Sequence, residues 1–288
     1  MDISIIIVNY NTADLVCKAI DSCLTQQGIS SEIIVVDNAS HDDSVEKLKA
    51  YGDKIHLVAN SENLGFGQAN NQGFTHSHGD YIFLLNPDAE FSTDHDLADM
   101  LLFMHRNPKI GLAGTRIVDS NGKETFPRYN YPGDKRCHTL FADLPGLITW
   151  VLGAAMIIPR AIWEQTGGFD KAYFLYGDEV DWCLRIRKLG FVIGHNSKVI
   201  VLHQGSASEK SATSFAKWTR KQQGLQVFIQ RYYPEAIARK IIRRDYWRSI
   251  IRMRFLQLRS LFGGWNEAKQ ARFERYRAIA QSAKAFLK

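Results

Sequence analysis

The sequence predicts an α/β fold: a mostly parallel central sheet flanked by helices, followed by a C-terminal helical extension. Three observations carry this expectation. Short apolar runs rich in β-branched residues recur through the body of the chain, each ending in polar turn residues. Segments of helical spacing alternate with them, the order that builds parallel β-α-β units. Beyond Pro234 the short runs cease, and long stretches of helical spacing rich in arginine take over.

Taken in order, Ile3–Asn9 is apolar almost throughout and reads as a central strand buried on both faces. Thr12 is expected to cap a helix over 13–26. A second strand over 32–37, a helix over 42–51 and a third strand over 55–58 complete a doubly wound opening. Ligands of such sheets bind beyond the carboxyl ends of the strands, which here carry Asn9, Tyr10 and Asp37. For Asp37 a turn or cap role is the competing reading. The stretch from Asn63 to Gly73 is a Gly/Asn-rich loop leading into a helix, suited to close backbone approach to a phosphate. It is not a G-x-G-x-x-G dinucleotide fingerprint.

A fourth strand over 80–85 ends in Asn86-Pro87-Asp88, where a carboxylate can hold a divalent metal that bridges two phosphates. A helix over 94–107 stops at Pro108. Strands are expected over 110–114, 116–118, 150–158, 191–193 and 199–202, with Gly153 allowing close approach. Residues 119–146 read as a long excursion of the functional kind. His203 ends the last of these strands in the glycine- and serine-rich loop His203-Gln-Gly-Ser-Ala-Ser208.

The densest cluster of chemistry is Tyr173-Phe-Leu-Tyr-Gly-Asp-Glu-Val-Asp-Trp-Cys-Leu-Arg185. A helix from Asp178 to about Lys188 sets Asp178, Asp181 and Trp182 on one side, with Glu179 and Cys183 beside them and Arg185 a turn on. Carboxylates among large apolar groups are raised in pKa and make candidate general bases. An acidic helix N-terminus is the plain alternative.

Composition narrows the function classes. The 288-residue chain is 45% hydrophobic and 11% aromatic, enough for a substantial core. Cys17, Cys23, Cys137 and Cys183 form no C-x-x-C pair, which argues against a zinc site or disulfide scaffold and suits a reducing compartment. The first strand leaves no room for a secretory leader, and no apolar run reaches the roughly 18 residues of a membrane span. The expected location is cytoplasmic. Residues 235–288 hold 14 Lys and Arg against 4 Asp and Glu, a net of +10, whereas residues 1–234 are at −4. A basic tail implies a polyanionic partner.

Seven collinear motifs, IIIVNYN, VVDNAS, NLGFGQANNQG, FLLNPDA, GAAM, GGFDKAYFLYGDEVDWCLR and HQGSAS, carry a resemblance over roughly residues 3–235. The chain resembles family-2 glycosyltransferases of the Rossmann-like GT-A fold, in particular the bacterial rhamnosyltransferase branch and related polysaccharide enzymes. The resemblance implies a nucleotide-sugar donor, dTDP-rhamnose or a UDP-hexose. Asp37 would contact the pyrimidine, Tyr10 with Val8 and Asn9 would wall it, and Asn63 and Gly65 would lie near the nucleotide. Asn86-Pro87-Asp88 takes the place of the family's D-x-D motif, with Asn for its first Asp. Asp88 and His203 would hold Mg2+ or Mn2+. Asp178-Glu179 takes the place of the catalytic acid pair: position favours Glu179 as the base, residue type Asp178. Gly153, Asp181, Trp182 and Arg185 would shape the acceptor side. The implied reaction is inverting transfer to a hydroxyl of a glycan or lipid-linked acceptor in cell-surface polysaccharide synthesis.

Rivals are a non-catalytic sugar-nucleotide or glycan-binding module, which has no need of these acids, and a nucleotidyltransferase, which would release pyrophosphate. Nucleic-acid binding has no recognition motif behind it. The expected division is a transferase domain over 1–234 and a basic helical extension over 235–288. In the extension, apolar residues from Ile237 to Phe262 at helical spacing interleave with Lys240 and arginines. Packing on the body, docking on anionic lipid at the inner face of the plasma membrane, and a homo-oligomer contact are the three readings. Gly263-Gly264 separates a final helix over 266–287.

Overall fold

A computed structural model of the chain describes residues 1–133, 140–205 and 212–288, the side chains of 261–263 excepted. Two compact units are present. The first comprises Met1–Tyr131, Asp143–Phe174 and Asp178–Ser208; the second comprises Pro132–Ala142, Leu175–Gly177 and Glu209–Lys288.

The first unit is built on one sheet. Strands β1 (Ile3–Asn9), β2 (Ser31–Asp37), β3 (His56–Ala59) and β4 (Tyr81–Leu85) pair in parallel in the order β3-β2-β1-β4. Every residue of β1 is buried, as its unbroken apolar run requires of a central strand. The sheet continues from β4 through β8 (Ala155–Pro159), β6 (Ile110–Val118) and β9 (Val192–His203) to β5 (Ala89–Phe91), and β7 (Glu124–Thr125) pairs with β6. The pair β6·β9 is parallel, whereas β4·β8, β6·β8, β5·β9 and β6·β7 are antiparallel. The sheet is therefore mixed, with β5, β7 and β8 running against the other strands.

Helices α1 (Ala13–Leu24), α2 (Ser44–Lys49), α3 (Phe66–Thr75), α4 (Asp96–Arg106), α5 (Arg160–Thr166) and α6 (Asp178–Lys188) flank it. Alternation along each strand divides the core in two. Ile5, Ile7, Val35, Phe83 and Leu85 pack with Val16 and Ile20 of α1 and Leu97 and Met100 of α4. Ile6, Val8, Ile34, Ile82 and Leu84 pack on the other face with Trp163 of α5, Phe169, and Trp182 and Ile186 of α6. Each such side chain contributes about 1.5–3 kcal/mol of burial, and α6 is thereby fixed on the sheet.

Several sequence expectations change in detail. The runs at 110–114 and 116–118 are one strand, with register shifts between Ile110 and Leu112 and between Thr115 and Arg116, the second falling where the two runs meet. The runs at 191–193 and 199–202 are likewise one strand, β9, which makes up that shift. The strand expected from Trp150 begins only at Ala155, and Trp150 makes a lone bridge to Arg128. Most of the stretch 63–73 is helix rather than loop. Gly65, at φ +81°, turns the chain so that α3 starts at Phe66. The Thr12 hydroxyl makes no cap bond and donates instead to Asn9 Oδ1 at 2.6 Å. The excursion over 119–146 contains β7 and the bridge at Arg128, and is otherwise irregular where described.

The second unit is helical: α7 (Ser214–Tyr232), α8 (Glu235–Gly263) and α9 (Glu267–Leu287). Thr213 and Asn266 cap α7 and α9 through side-chain bonds to Ala216 N and Lys269 N. Helix α9 packs on both α7 and α8. Ala238, Ile241 and Ile242 of α8 and Ala278, Ala280 and Ala283 of α9 are buried. Gly224 of α7 sits so close to Tyr176 that a β-carbon there would fall 1.9 Å from the Tyr176 carbonyl oxygen. Among the described residues no helix is long and apolar enough to cross a membrane.

Candidate active site

The functional candidates gather at one edge of the sheet. It is formed by the carboxyl ends of β1, β2, β4 and β9 and the amino ends of β8 and β5. At β1 and β2, Asn9 lies in register with Asp37 and donates to its Oδ1 at 2.8 Å. Asp37, 1% exposed, also accepts from the Ser40 hydroxyl at 2.7 Å and the Ser40 amide at 3.0 Å. Its carboxylate is thus the hub of the turn that follows β2. Val8 is buried beneath, and Tyr10 stands half-buried with its ring edge-on to His41.

Asn38 links this corner to the next. Its amide nitrogen donates to Asn63 Oδ1 at 2.9 Å, and its Oδ1 accepts from the Leu64 amide at 3.0 Å. Asn63 Oδ1 also accepts from the Gly65 amide at 2.9 Å. A β-carbon at Gly65 would fall 2.3 Å from the carbonyl oxygen of Phe174, so only glycine fits between α3 and the approach to the acids. That carbonyl accepts from the Phe66 amide, the first N–H of α3, at 3.0 Å. The α3 amino end is therefore partly occupied by protein.

At β4, the Asn86 amide donates to Ala154 O at 2.8 Å. The Asn86 side chain lies 3.2 Å from His203 Nε2, and His203 Nε2 lies 3.1 Å from Asp88 Oδ1. The Asp88 and His203 side chains are 5% and 12% exposed. One carboxylate oxygen and one imidazole nitrogen face each other at a strand end, a donor set that suits Mn2+ and is acceptable to Mg2+ when phosphate oxygens complete the shell. Among the described residues no group of three or more His, Cys, Asp or Glu side chains converges, so the protein offers two donors here rather than a closed cage. The rest of the loop after His203, at Ser206, Ala207 and Ser208, lies outside the described residues.

Helix α6 brings the acids to the same edge. Asp178 is 3% exposed, and its Oδ2 is buried without a hydrogen-bond partner. Burial, then the charge of Glu179, then a hydrogen bond with Glu179 push its carboxyl well above the usual carboxylate range. Of the two acids, Asp178 is the one whose burial disfavours the charged form. Glu179 is only half-buried, and a β-carbon at Gly153 would fall 3.7 Å from Glu179 Cβ and 3.6 Å from Phe66 Cε1. Gly153 thus lies next to Glu179 and Phe66, at distances where a β-carbon would make ordinary van der Waals contact with both.

One turn later the environment changes. Asp181 is 0% exposed, and Arg185 Nε donates to its Oδ2 at 2.7 Å, with the Tyr173 hydroxyl 3.3 Å from its Oδ1. Arg185 also donates to the carbonyls of Thr166 and Gly168 at 2.7 and 2.6 Å. Trp182 is 0% exposed; its indole N–H donates to Thr166 Oγ1 at 2.8 Å, and its ring packs between Trp163 and Phe169. The expectation that Asp181 and Trp182 touch an acceptor therefore needs correction. Both are sealed from solvent and serve to anchor α6, and Arg185 ties that helix to the 166–168 turn.

Sequence reasoning gave no role to Asn38, Ser40 or Arg187. The first two lie within the VVDNAS motif, where each polar residue at the end of a buried strand was a signal. Arg187, 4% exposed, donates to the carbonyls of Leu144, Pro145 and Gly146 and to the Tyr131 hydroxyl. It pins both described flanks of the excursion that belong to the first unit. Its position is the last turn of α6, where a basic side chain also complements the helix dipole.

Solved structures show the same fold. The mannosyltransferase PcManGT from Pyrobaculum calidifontis, in complex with GDP-Man and Mn2+, aligns with a TM-score of 0.65 at 16% identity, over 99% of this chain and 86% of that one. S. aureus TarS 1–349 aligns with a TM-score of 0.58 at 16% identity, over 100% and 83%. The architecture is that of the GT-A glycosyltransferases. The family is shown by the sequence: residues 4–183 match the profile of Glycosyl transferase family 2, and the chain belongs to that family of enzymes. Among its relatives, the low-salt glycan biosynthesis hexosyltransferase Agl10 of Haloferax volcanii is 26% identical over 278 residues, 92% of this chain and 83% of that protein. The N-acetylglucosaminyl-diphospho-decaprenol L-rhamnosyltransferase of Mycobacterium tuberculosis is 23% identical over 220 residues, covering 65% and 70%. The chain spans about half the length of an uncharacterized glycosyltransferase of Rickettsia prowazekii, 54%, with 31% identity over 176 residues.

Proposed function

We propose that the protein is an inverting hexosyltransferase that moves a sugar from a nucleotide donor, dTDP-rhamnose or a UDP-hexose, to a hydroxyl of a glycan or lipid-linked saccharide. Residues 1–234 are the proposed transferase domain. One observation carries the reading. Two series of contacts run along a single sheet edge, one from the Asn9·Asp37·Ser40 cluster through Asn38, Asn63 and Gly65 to Phe174, the other from Ala154 to Asn86, His203 and Asp88, with Glu179 near Gly153. That is the order in which a base, a ribose-diphosphate and a sugar follow one another. The hexosyl- and rhamnosyltransferase names of two relatives favour glycan building, and the donor and metal bound by PcManGT favour a divalent ion.

In this mechanism the Asp37 corner holds the pyrimidine, and the Asn63–Gly65 turn lies along the ribose and diphosphate. Asp88 and His203 would hold Mg2+ or Mn2+, which when bound neutralises the charge growing on the departing diphosphate. Glu179 takes the proton from the acceptor hydroxyl as its oxygen attacks the anomeric carbon from the face opposite the diphosphate. Asp178, holding its own proton, orients Glu179 and leaves it free to accept another. A single displacement inverts the anomeric configuration and needs no protein nucleophile. General-base assistance of this kind is worth roughly 10²–10⁴-fold.

The reading is tested by thermal-shift screening of sugar nucleotides with Mn2+, followed by product analysis with the donor found. Release of nucleoside diphosphate with inverted anomeric configuration is expected. Release of pyrophosphate, or retention of configuration, would contradict it.

A further inference from the structure

Helix α8 carries a surface that the transferase reading does not use. Trp247, Ile251, Phe255 and Leu258 are 57, 64, 57 and 60% exposed. Their spacing of four, four and three residues places them within an arc of about 80° on a helix of 3.6 residues per turn. Of the buried side chains of the same helix, Ala238, Ile242 and Ser249 lie on the opposite side, with Ile241 on the flank between. The stripe is thus a second apolar face, beyond the one α8 uses to fold.

Charge says what it fits. Arg248, Arg252, Arg254 and Arg259 are exposed and border the stripe on both sides, and no Asp or Glu occurs anywhere from Tyr246 to Gly264. The nearest acid along the helix, Asp245, is engaged by Arg244 at 3.2 Å. The Arg259 guanidinium lies 5.6 Å from the Phe255 ring centroid and the Arg252 guanidinium 5.4 Å from that of Tyr276, so these cations stand at the apolar margin rather than reaching away from it. An aromatic and aliphatic stripe with Trp at one end, rimmed by arginine alone, matches the boundary between headgroups and acyl chains of an anionic bilayer. A second copy of the chain is a poor occupant, since packing the stripe on itself would set arginine rims against one another.

We infer that α8 docks this stripe on an anionic lipid surface, lying in the plane of the membrane with its arginines at the headgroups. The inference stands on α8 alone and holds whatever sugar the first unit transfers. A transferase held in this way would meet lipid-linked acceptors by diffusion in two dimensions.

The test is co-sedimentation of the full chain with phosphatidylcholine vesicles, with and without phosphatidylglycerol, at low and high salt. Two variants accompany it: Trp247, Ile251, Phe255 and Leu258 all to Ser, and Arg248, Arg252, Arg254 and Arg259 all to Gln. All eight positions are exposed, and unchanged thermal unfolding confirms that each variant folds. The wild-type chain should bind the anionic vesicles in preference to neutral ones, and each variant should lose that binding by about tenfold or more. Equal binding to both vesicle types, or variants that bind like the wild type, would overturn the inference. So would a wild-type dimer in light scattering that the serine variant converts to monomer, because a second copy would then cover the stripe.

Discussion

The first two turns of α6 treat their buried acids in opposite ways. Asp181 is fully paired: Arg185 and Tyr173 meet its two oxygens, and Arg185 is itself spent on the carbonyls of Thr166 and Gly168. Asp178, three residues earlier and almost as deeply buried, has one oxygen with no partner and a like charge for a neighbour. A fold has no reason to leave a carboxyl so placed for stability's sake, because an unsatisfied buried polar atom costs about 1–3 kcal/mol. The difference separates the part of the helix that anchors from the part proposed to react.

The contrast can be broken from its structural side first. Arg185→Ala removes the guanidinium from the fully buried Asp181 carboxyl while leaving it the Tyr173 hydroxyl, and should cost about 3–5 kcal/mol of stability in urea unfolding. A loss below about 0.5 kcal/mol would show that the second turn is not the anchor. The next effect lies at the far end of the site. Asp88→Ala removes one of the two proposed metal donors and should weaken Mn2+-dependent donor binding roughly 10–100-fold by calorimetry, a magnitude typical of damage to a metal shell. Unchanged affinity would remove Asp88 from the site.

The smallest effect is a slope. Asp178 has a folded-state pKa above its unfolded value, so its contribution to stability is fully present below the usual aspartate pKa and is lost as pH rises through the raised one. Asp178→Asn should abolish that loss. Its stability relative to the wild type should therefore grow as pH increases across the same window in denaturant titrations. Parallel stability curves for the two proteins would mean that Asp178 is not the proton-bearing acid.

The fold was legible where burial dictates sequence. The Ile3–Asn9 run can only be a strand covered on both faces, and α6 was placed at Asp178–Lys188 by its acidic start and Gly190. Strand continuity was less legible. β6 and β9 each looked like two pieces because a shared register shift interrupts their apolar pattern without ending the ladder. In the site, strand-end polar residues such as Asn9, Asp37, Asn86 and Asp88 were visible as interruptions of apolar runs. Trp182 and Asp181 were misplaced on the acceptor side because helical spacing tells which residues share a face, not whether that face meets substrate or core. Asn38 and Arg187 act through bonds to residues far along the chain, and no local pattern reports such partners.

Glu179, and not Asp178, is the residue proposed to remove the acceptor proton. The direct measurement is the transfer rate at saturating donor for Glu179→Gln and Asp178→Asn, alongside calorimetric donor affinity. Glu179→Gln should lose roughly 10²–10⁴-fold in rate with donor affinity unchanged, and Asp178→Asn should lose far less. A fully active Glu179→Gln variant, or one that outperforms Asp178→Asn, would contradict it.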